Sequence, residues 1–163
     1  MALNKAQKKV VLEKVTGIAE GAKSAVFVNF HGLTVGNATE IRKVLREAGV
    51  SYTVAKKTLA TKAFATRGLK GEMPELQGEL AIAYGEDLIA PAREVSVFEK
   101  KFEGKISILG GVFEDRFMSK AEMTAIAMIP SKQTLYGMFV NLINSPIQRI
   151  AIAVNEIAKS KAA

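Results

Sequence analysis

The sequence predicts an α/β fold in which a mixed sheet of about four strands packs with helices, in the α/β plait style, followed by a C-terminal helical arm. Two-residue and three-to-four-residue hydrophobic periodicities alternate along most of the chain, as in folds that alternate strands with helices. Beyond Pro130 only the helical periodicity continues. We therefore expect an α/β domain over residues 1–130 and a helical arm over residues 131–163.

Composition excludes several classes of protein. Hydrophobic residues make up 48% of the 163 positions, which argues against disorder and allows a sizeable core. The chain has no cysteine, and its one histidine, His31, cannot form a His-based metal centre by itself. The first residues lack the apolar core of a signal peptide, and no apolar run approaches the roughly 20 residues of a membrane span. We expect no metal, no cofactor and no membrane partner.

The formal charge of +7 is unevenly distributed. Residues 1–70 hold 13 Lys and Arg against 4 acidic residues, a net of +9, whereas residues 71–163 hold 10 against 12, a net of −2. A basic region of this kind is typical of proteins that bind a phosphate backbone, although milder asymmetry also occurs in proteins that do not. The charge pattern therefore favours a nucleic-acid partner that meets the N-terminal half.

Residues 25–59 are predicted to form a strand, a helix and a second strand. The segments 25–30 and 50–55 are rich in β-branched and aromatic residues and have the length of strands. Between them, apolar residues recur at three- and four-residue steps, and Gly49 suits the position after a helix end. A first helix is expected upstream, where Asn4 and Gln7 resemble a capping box.

The loops of this unit hold candidate functional residues. In the first loop, Gly32 permits close approach of a partner to the backbone, and Thr34 is placed to cap the next helix. In the second loop, Lys56, Lys57 and Thr58 stand where a strand gives way to a helix. A helix start presents unpaired N–H groups and partial positive charge, so two lysines there predict a phosphate site. The alternative is a solvated turn with ordinary surface lysines.

Three further elements complete the predicted domain. A strand is expected at 79–84, and Pro91 fits the first turn of the helix that follows. A second strand at 106–113 is expected to be weakened or bulged at Gly110 and Gly111. Ser119 and Glu122 form a capping box for a short helix. The order of the strands in the sheet is not readable from this pattern.

Two helices are expected beyond Pro130, with Ser145 and Pro146 as the cap and first turn of the second. This last helix carries one apolar stripe, formed by Ile147, Ile150, Ala151, Val154, Ile157 and Ala158. Burying its four large aliphatic side chains would contribute roughly 6 to 12 kcal/mol gross, at about 1.5 to 3 each. The stripe therefore needs a cover, which is either the chain's own domain or a groove on another protein.

Several motifs, taken in order, resemble a known family. They are Gly-Leu-Thr-Val at 32–35, Leu-Arg-Glu-Ala-Gly-Val at 45–50, Val-x-Lys-x-Thr-Leu at 54–59, Leu-Gln-Gly at 76–78, Gly-Gly at 110–111 and Ile-Pro-Ser at 129–131. The set resembles the bacterial ribosomal stalk-base protein, the ribosomal protein L-ten family, over essentially the whole chain. The family usually has aromatic-Arg-Gly at 30–32 and Lys-Asn-Thr-Leu or Arg-Asn-Thr-Leu at 56–59. The Asn-to-Lys difference at Lys57 keeps or adds positive charge.

The resemblance implies a structural constituent of the large ribosomal subunit, located in the cytoplasm on the ribosome. It implies that residues 1–130 are an RNA-binding domain that binds large-subunit ribosomal RNA at the stalk base, beside the neighbouring L-eleven protein. The expected RNA-binding residues are Lys8, His31, Gly32, Thr34, Arg42, Lys56, Lys57, Thr58 and Lys62. On the helix after Thr34, Arg42 and its basic neighbours are weaker evidence, because Lys43 is placed to pair with Glu47.

The resemblance also implies that the arm anchors dimers of the acidic stalk protein, L-seven/L-twelve, which recruit translation GTPases. The residues of the apolar stripe would be the contacts. Because the last helix is short, we expect two dimers rather than the three held by family members with longer helices. Family members can also bind the leader of their own messenger RNA and repress its translation.

Two other functions are left open by the residues. A nucleic-acid-binding module unrelated to the ribosome would bind RNA or DNA without an acidic protein partner. A small-molecule enzyme of plait fold would need a polar pocket, and no pattern in the sequence indicates one. The acidic pairs at 86–87 and 114–115 fit loops, no Gly-rich nucleotide motif occurs, and His31 has no catalytic partner nearby. We therefore expect that the chain is not an enzyme.

Overall fold

A computed structural model describes residues 5–102 and 104–162 of the chain. The expected cap at Asn4 lies outside the described residues. In chain order the elements are α1 Lys5–Gly21, β1 Ser24–Phe30, α2 Val35–Glu47, β2 Ser51–Val54, α3 Lys57–Thr66, β3 Glu79–Gly85, α4 Ala90–Lys101, β4 Ile106–Phe113, β5 Arg116–Ser119, α5 Lys120–Ala127 and α6 Lys132–Ala162.

The strands form one sheet in the order β2-β3-β1-β4-β5, and every neighbouring pair is antiparallel. Because β3 lies between β1 and β2 and is antiparallel to both, β1 and β2 run in the same direction without being neighbours. This is the split strand-helix-strand arrangement of the α/β plait, so the predicted α/β class is confirmed. Two details differ from the expectation, since the sheet has five strands rather than about four and its ladders are antiparallel rather than mixed.

The additional strand, β5, escapes the sequence pattern because it has only four residues. It joins β4 through a two-residue turn at Glu114 and Asp115, whose φ angles are +46° and +62°. Two positive φ values are typical of the tight turns that connect hairpins, but Glu-Asp lacks the Asn-Gly signature of such turns. The hairpin is therefore visible only in the structure.

Helices cover both faces of the sheet, so the domain has two hydrophobic cores. One core lies between the sheet and α2, α4 and α5, and it contains Val26 and Val28 of β1. The other lies between the sheet and α1 and α3, and it contains Ala25 and Phe27 of the same strand. Side chains alternate between the two faces of a strand, so β1 supplies residues to both cores. Phe27 also packs edge-on against Phe64, with 5.0 Å between the ring centroids.

The predicted irregularity at Gly110 and Gly111 is confirmed. The ladder between β1 and β4 shifts register between Phe27 and Val28, which face Gly110 and Ile108. A Cβ atom on Gly111 would lie 2.5 Å from the carbonyl oxygen of Ala25 and would also collide with the methyl group of Met123. Glycine is therefore required here, because a backbone atom of the central strand occupies the space of a side chain.

Arg67, which follows α3, connects three parts of the domain. Its guanidinium donates hydrogen bonds to the carbonyl oxygens of Ala19 and Ala22 at the end of α1, the second at 3.1 Å. It also forms an ion pair with Asp115 in the β4–β5 turn, at 2.5 Å. The last carbonyl groups of a helix lack partners within the helix, so Arg67 satisfies groups that α1 cannot satisfy itself.

The chain divides into two compact units between Ile129 and Pro130. In the second unit, the two expected helices are one continuous helix, α6, with Pro146 inside it. Proline removes the N–H that would bond to the carbonyl of Leu142, and the Ser145 hydroxyl donates to that carbonyl instead, at 3.1 Å. The expected boundary at Ser145 and Pro146 is thus wrong, because a local side-chain hydrogen bond satisfies the carbonyl that proline leaves free.

We expect Gly111→Ala to lower the free energy of unfolding by about 1 to 3 kcal/mol, because the new methyl group overlaps the β1 backbone. Urea denaturation of the full chain measures this change. Gly36→Ala is the matched control, because its new methyl group meets nothing within 4 Å and lies in α2. The control should leave stability unchanged or raise it by up to about 1 kcal/mol. Equal stability of the two variants would contradict the requirement for glycine at position 111.

Candidate nucleic-acid and protein interfaces

The two predicted functional loops lie at the same end of the sheet. β1 and β2 run in the same direction, so His31 and Gly32, which follow β1, emerge at the edge where Lys56 follows β2. The start of β3 separates them, which places the two loops about 10 Å apart at about 4.8 Å per strand. The His31 backbone N–H donates to the carbonyl oxygen of Lys105 at 2.8 Å, and Gly32 adopts a φ of +61°.

The two helices that begin at this end differ in their capping. The Thr34 hydroxyl accepts a hydrogen bond from the Asn37 backbone N–H at 3.3 Å, which confirms the predicted cap of α2. At α3, the residue in the cap position is Lys56, whose side chain makes no capping hydrogen bond. The Leu59 N–H donates to the carbonyl oxygen of Lys56 at 3.0 Å, whereas the N–H groups of Lys57 and Thr58 stay available to an anion, beside the exposed side chains of Lys56 and Lys57.

A surface depression of about 700 Å³ adjoins this helix start. Its lining residues come from α1, β1, β2, α3 and β3 and from the loops beside them. Glu79 is the one acidic residue among them. The lining residues are Val11, Phe30, Val54, Ala55, Lys56, Lys57, Thr58, Gly78, Glu79 and Leu80. The sequence pattern did not predict that Val11 and Glu79 lie at this site, because their positions depend on how α1 and β3 pack.

The remaining predicted RNA-binding residues fall into two groups. Lys8 lies on α1 one turn before Val11, which lines the depression, and Lys62 is exposed on α3. These two helices share one layer, so both lysines belong to the side of the sheet that carries Lys56. Arg42 lies on α2, which packs against the opposite face. The structure thus separates Arg42 from the rest of the predicted set.

Arg42 belongs instead to a small polar pocket at the β2 edge. The pocket has a volume of about 240 Å³ and is lined by Arg42, Arg46, Val50, Ser51, Tyr52, Thr53 and Tyr84. Burial raises the pKa of Tyr52 to about 12, and the positive charge of Arg42 acts in the opposite direction. The net effect is that Tyr52 holds its phenolic proton to a higher pH than an exposed tyrosine does. The four-residue spacing of the two arginines was visible in the sequence, but their proximity to Tyr52 was not.

The candidate protein interface is the apolar stripe of α6. Its large side chains are 56% to 68% exposed, with Ile147 at the upper limit and Ile157 at the lower. The second unit contains α6 and no other element, so the helix has no partner within its own unit. A second exposed apolar segment precedes Pro146 and consists of Leu135, Met138, Phe139, Leu142 and Ile143.

Within residues 5–102 and 104–162, no helix is long and apolar enough to cross a membrane. The same residues contain no group of three or more His, Cys, Asp or Glu side chains placed to hold a metal ion. The described chain combines a basic α/β domain with a helix whose apolar face is exposed.

Comparison with known proteins identifies the family. The family model for ribosomal protein L10 matches residues 3–100. The chain belongs to this family, whose members are structural, non-enzymatic ribosomal proteins. The resemblance seen in the motifs is confirmed, as is the expectation that the chain is not an enzyme.

Three relatives share this assignment over nearly their whole length. The large ribosomal subunit protein uL10 of Shouchella clausii is 40% identical over 156 residues, covering 95% of this chain and 93% of the relative. The uL10 proteins of Bacillus licheniformis and Staphylococcus carnosus are 37% and 36% identical over 155 residues, each covering 94% of this chain and 93% of the relative.

The raised pKa of Tyr52 predicts a pH dependence of stability. In the unfolded chain the phenol ionises near its ordinary pKa of 10.0, whereas the folded chain holds the proton until about pH 12. The stabilisation from this group is therefore present below pH 10 and is lost as the pH rises from 10 to 12. Tyr52→Phe should remove this part of the decline in an alkaline stability profile, because phenylalanine does not ionise.

A difference titration of phenolate absorbance, wild type minus Tyr52→Phe, measures this pKa directly. Arg42→Gln should raise the pKa of Tyr52 further, because the arginine charge favours the phenolate. Lys43→Gln removes one positive charge from the same helix without touching the pocket and should shift the pKa less. Equal shifts in the two variants would show that Arg42 does not lie specifically beside Tyr52.

Proposed function

We propose that this chain is a structural constituent of the large ribosomal subunit, in the cytoplasm, and that its domain of residues 1–130 binds large-subunit ribosomal RNA at the stalk base. Its neighbour there is the L-eleven protein, as the family resemblance implies. The observation that carries the proposal is the start of α3, where the free backbone N–H groups of Lys57 and Thr58 coincide with the two exposed side chains of Lys56 and Lys57. This combination suits a phosphate group.

Each predicted residue has a distinct part in this proposal. Lys56, Lys57 and Thr58 hold phosphates at the start of α3, while Lys8 and Lys62 add positive charge from the same layer. His31 and Gly32 offer an exposed loop in which the backbone can approach the RNA closely. Thr34 acts indirectly, because its hydroxyl caps α2 and so holds that loop in place. Arg42 contacts RNA from the opposite layer of the domain.

The helical arm, residues 131–163, anchors dimers of the acidic stalk protein, which in turn recruit translation GTPases. The contacts of the last segment are Ile147, Ile150, Ala151, Val154, Ile157 and Ala158. Two exposed apolar segments flank Pro146, which supports two dimers, one on each segment. Residues 131–163 hold 4 basic residues against 1 acidic residue, a net of +3 that suits an acidic partner. Repression of the chain's own messenger RNA would use the same RNA-binding domain.

For the RNA interface, we expect the double variant Lys56→Gln, Lys57→Gln to bind a stalk-base fragment of large-subunit ribosomal RNA about 10- to 100-fold more weakly. The slope of log affinity against log salt should fall in magnitude by about 2, because two phosphate contacts are lost. Filter binding across a range of salt concentrations measures both quantities.

The matched control is the double variant Lys100→Gln, Lys120→Gln. It removes the same charge from exposed positions on α4 and α5, away from the start of α3. Its affinity should change less than about threefold, since only the general field of the protein weakens. Equal losses in the two double variants would refute the site, and no RNA binding by the wild-type chain would refute the function.

For the arm, we expect Ile150→Asp to weaken binding of the acidic stalk protein by about 30-fold or more, because a carboxylate would replace a buried apolar contact. Ile152→Asp is the matched control. Ile152 is 57% exposed and lies two residues along the helix, roughly 200° around its axis from Ile150. Its replacement should leave binding nearly unchanged.

Native mass spectrometry of the chain with the acidic stalk protein measures the assembly. One copy of this chain should carry four partner chains, and truncation after Pro130 should abolish the complex. A full-length chain that stays alone, or equal effects of the two aspartate variants, would refute the arm as the anchor.

A further inference from the structure

The polar pocket at the β2 edge has the chemistry of an anion site. Two of its lining residues, Arg42 and Arg46, carry guanidinium groups that donate hydrogen bonds and cannot accept them. Four others, Ser51, Tyr52, Thr53 and Tyr84, carry hydroxyl groups, and Val50 completes the lining. No acidic residue lines the pocket. Glu47 lies in an adjoining depression on α2, which Arg42 and Arg46 also line.

Neither arginine of this pocket forms an ion pair within the part of the chain that the structure describes. The three ion pairs there join Arg67 to Asp115, Arg93 to Glu94 and Lys101 to Glu40, so none includes Arg42 or Arg46. Two like charges four residues apart on one helix repel each other. An anion held between them would relieve that repulsion and would receive two charge-assisted sets of hydrogen bonds.

The position of β2, which supplies three of the lining residues, also favours a ligand from outside the chain. β2 is an edge strand, paired with β3 on one side only, so its other side is open. The Tyr52 hydroxyl is protonated at neutral pH, as that of any tyrosine is, and can donate a hydrogen bond to an anion. The volume of about 240 Å³ is sufficient for a phosphate group.

We propose that Arg42, Arg46 and Tyr52 form a second phosphate site, which takes a backbone phosphodiester of the same RNA that binds at the start of α3. This inference rests on the proposed RNA-binding function, in which Arg42 already contacts RNA, and adds Arg46 and Tyr52 as its partners in one phosphate site. From Ser51 to Lys56 the chain advances five residues, about 16 Å at about 3.3 Å per residue. An RNA segment of a few nucleotides that follows the open edge of β2 reaches both sites. The edge strand thus sets the spacing between the two contacts.

The test compares two double variants of the full chain in binding to the stalk-base RNA fragment. Arg42→Gln, Arg46→Gln removes the pocket charges, whereas Lys43→Gln, Lys100→Gln removes equal charge from exposed positions outside the pocket. We expect the arginine variant to bind about 10- to 100-fold more weakly, with a salt slope smaller by about 1. The lysine variant should change less than about threefold. Circular dichroism melting of both variants verifies that they are folded.

Tyr52→Phe provides an independent measurement, because it removes a neutral donor and retains the ring. We expect affinity to fall about threefold to tenfold with an unchanged salt slope. Free inorganic phosphate is titrated in parallel while the side-chain NMR signals of Arg42 and Arg46 are followed.

Four results would overturn the second site. Equal losses of RNA affinity in the two double variants would show that only the general positive charge matters. Unchanged RNA affinity in the arginine variant would refute the second site but leave the proposed function intact. Phosphate-induced shifts without any effect of the arginine variant on RNA binding would assign the pocket to a free anion. A wild-type chain that binds no RNA would refute both the proposed function and this site.

Discussion

The position of β1 between two strands and two helical layers is the constraint on which the domain depends. Its backbone pairs with β3 and β4, and its side chains enter both cores. A strand buried on both faces tolerates no shift of register, because a one-residue slip would exchange the residues of the two cores. Gly111 extends this constraint to β4, since any larger residue would meet the β1 backbone. The fixed register of β1 determines where the loop of His31 and Gly32 emerges.

The difference between the starts of α2 and α3 connects the fold to its proposed function. Both helices begin at the same end of the sheet and both present free N–H groups there. Thr34 satisfies part of this demand at α2, whereas Lys56 leaves it unsatisfied at α3. An uncapped helix start costs stability in an isolated domain, typically about 1 kcal/mol relative to a good capping residue. A phosphate partner would accept the hydrogen bonds that the free N–H groups lack. Binding of that partner would therefore offset the stability lost at the uncapped helix start.

The helical arm presents the opposite problem, because it exposes apolar surface instead of polar groups. In its own unit α6 has no second element against which to pack, and single helices in water draw little stability from their backbone alone. Pro146 removes one backbone hydrogen bond, and the Ser145 hydroxyl compensates within the helix. The exposed apolar surface is the reason to propose a partner protein for this helix, just as the free N–H groups at the start of α3 are the reason to propose an RNA partner.

The sequence by itself determined the features that depend on neighbouring residues. The cap at Thr34, the capping box of Ser119 and Glu122, and the two lysines at the start of α3 were all predicted from residues a few positions apart. Only the tertiary structure decided the insertion of β3 between β1 and β2, the addition of β5, and the proximity of Arg42 and Arg46 to Tyr52. These features depend on pairing and packing between segments distant in the chain, and no local pattern encodes which strand will pair with which.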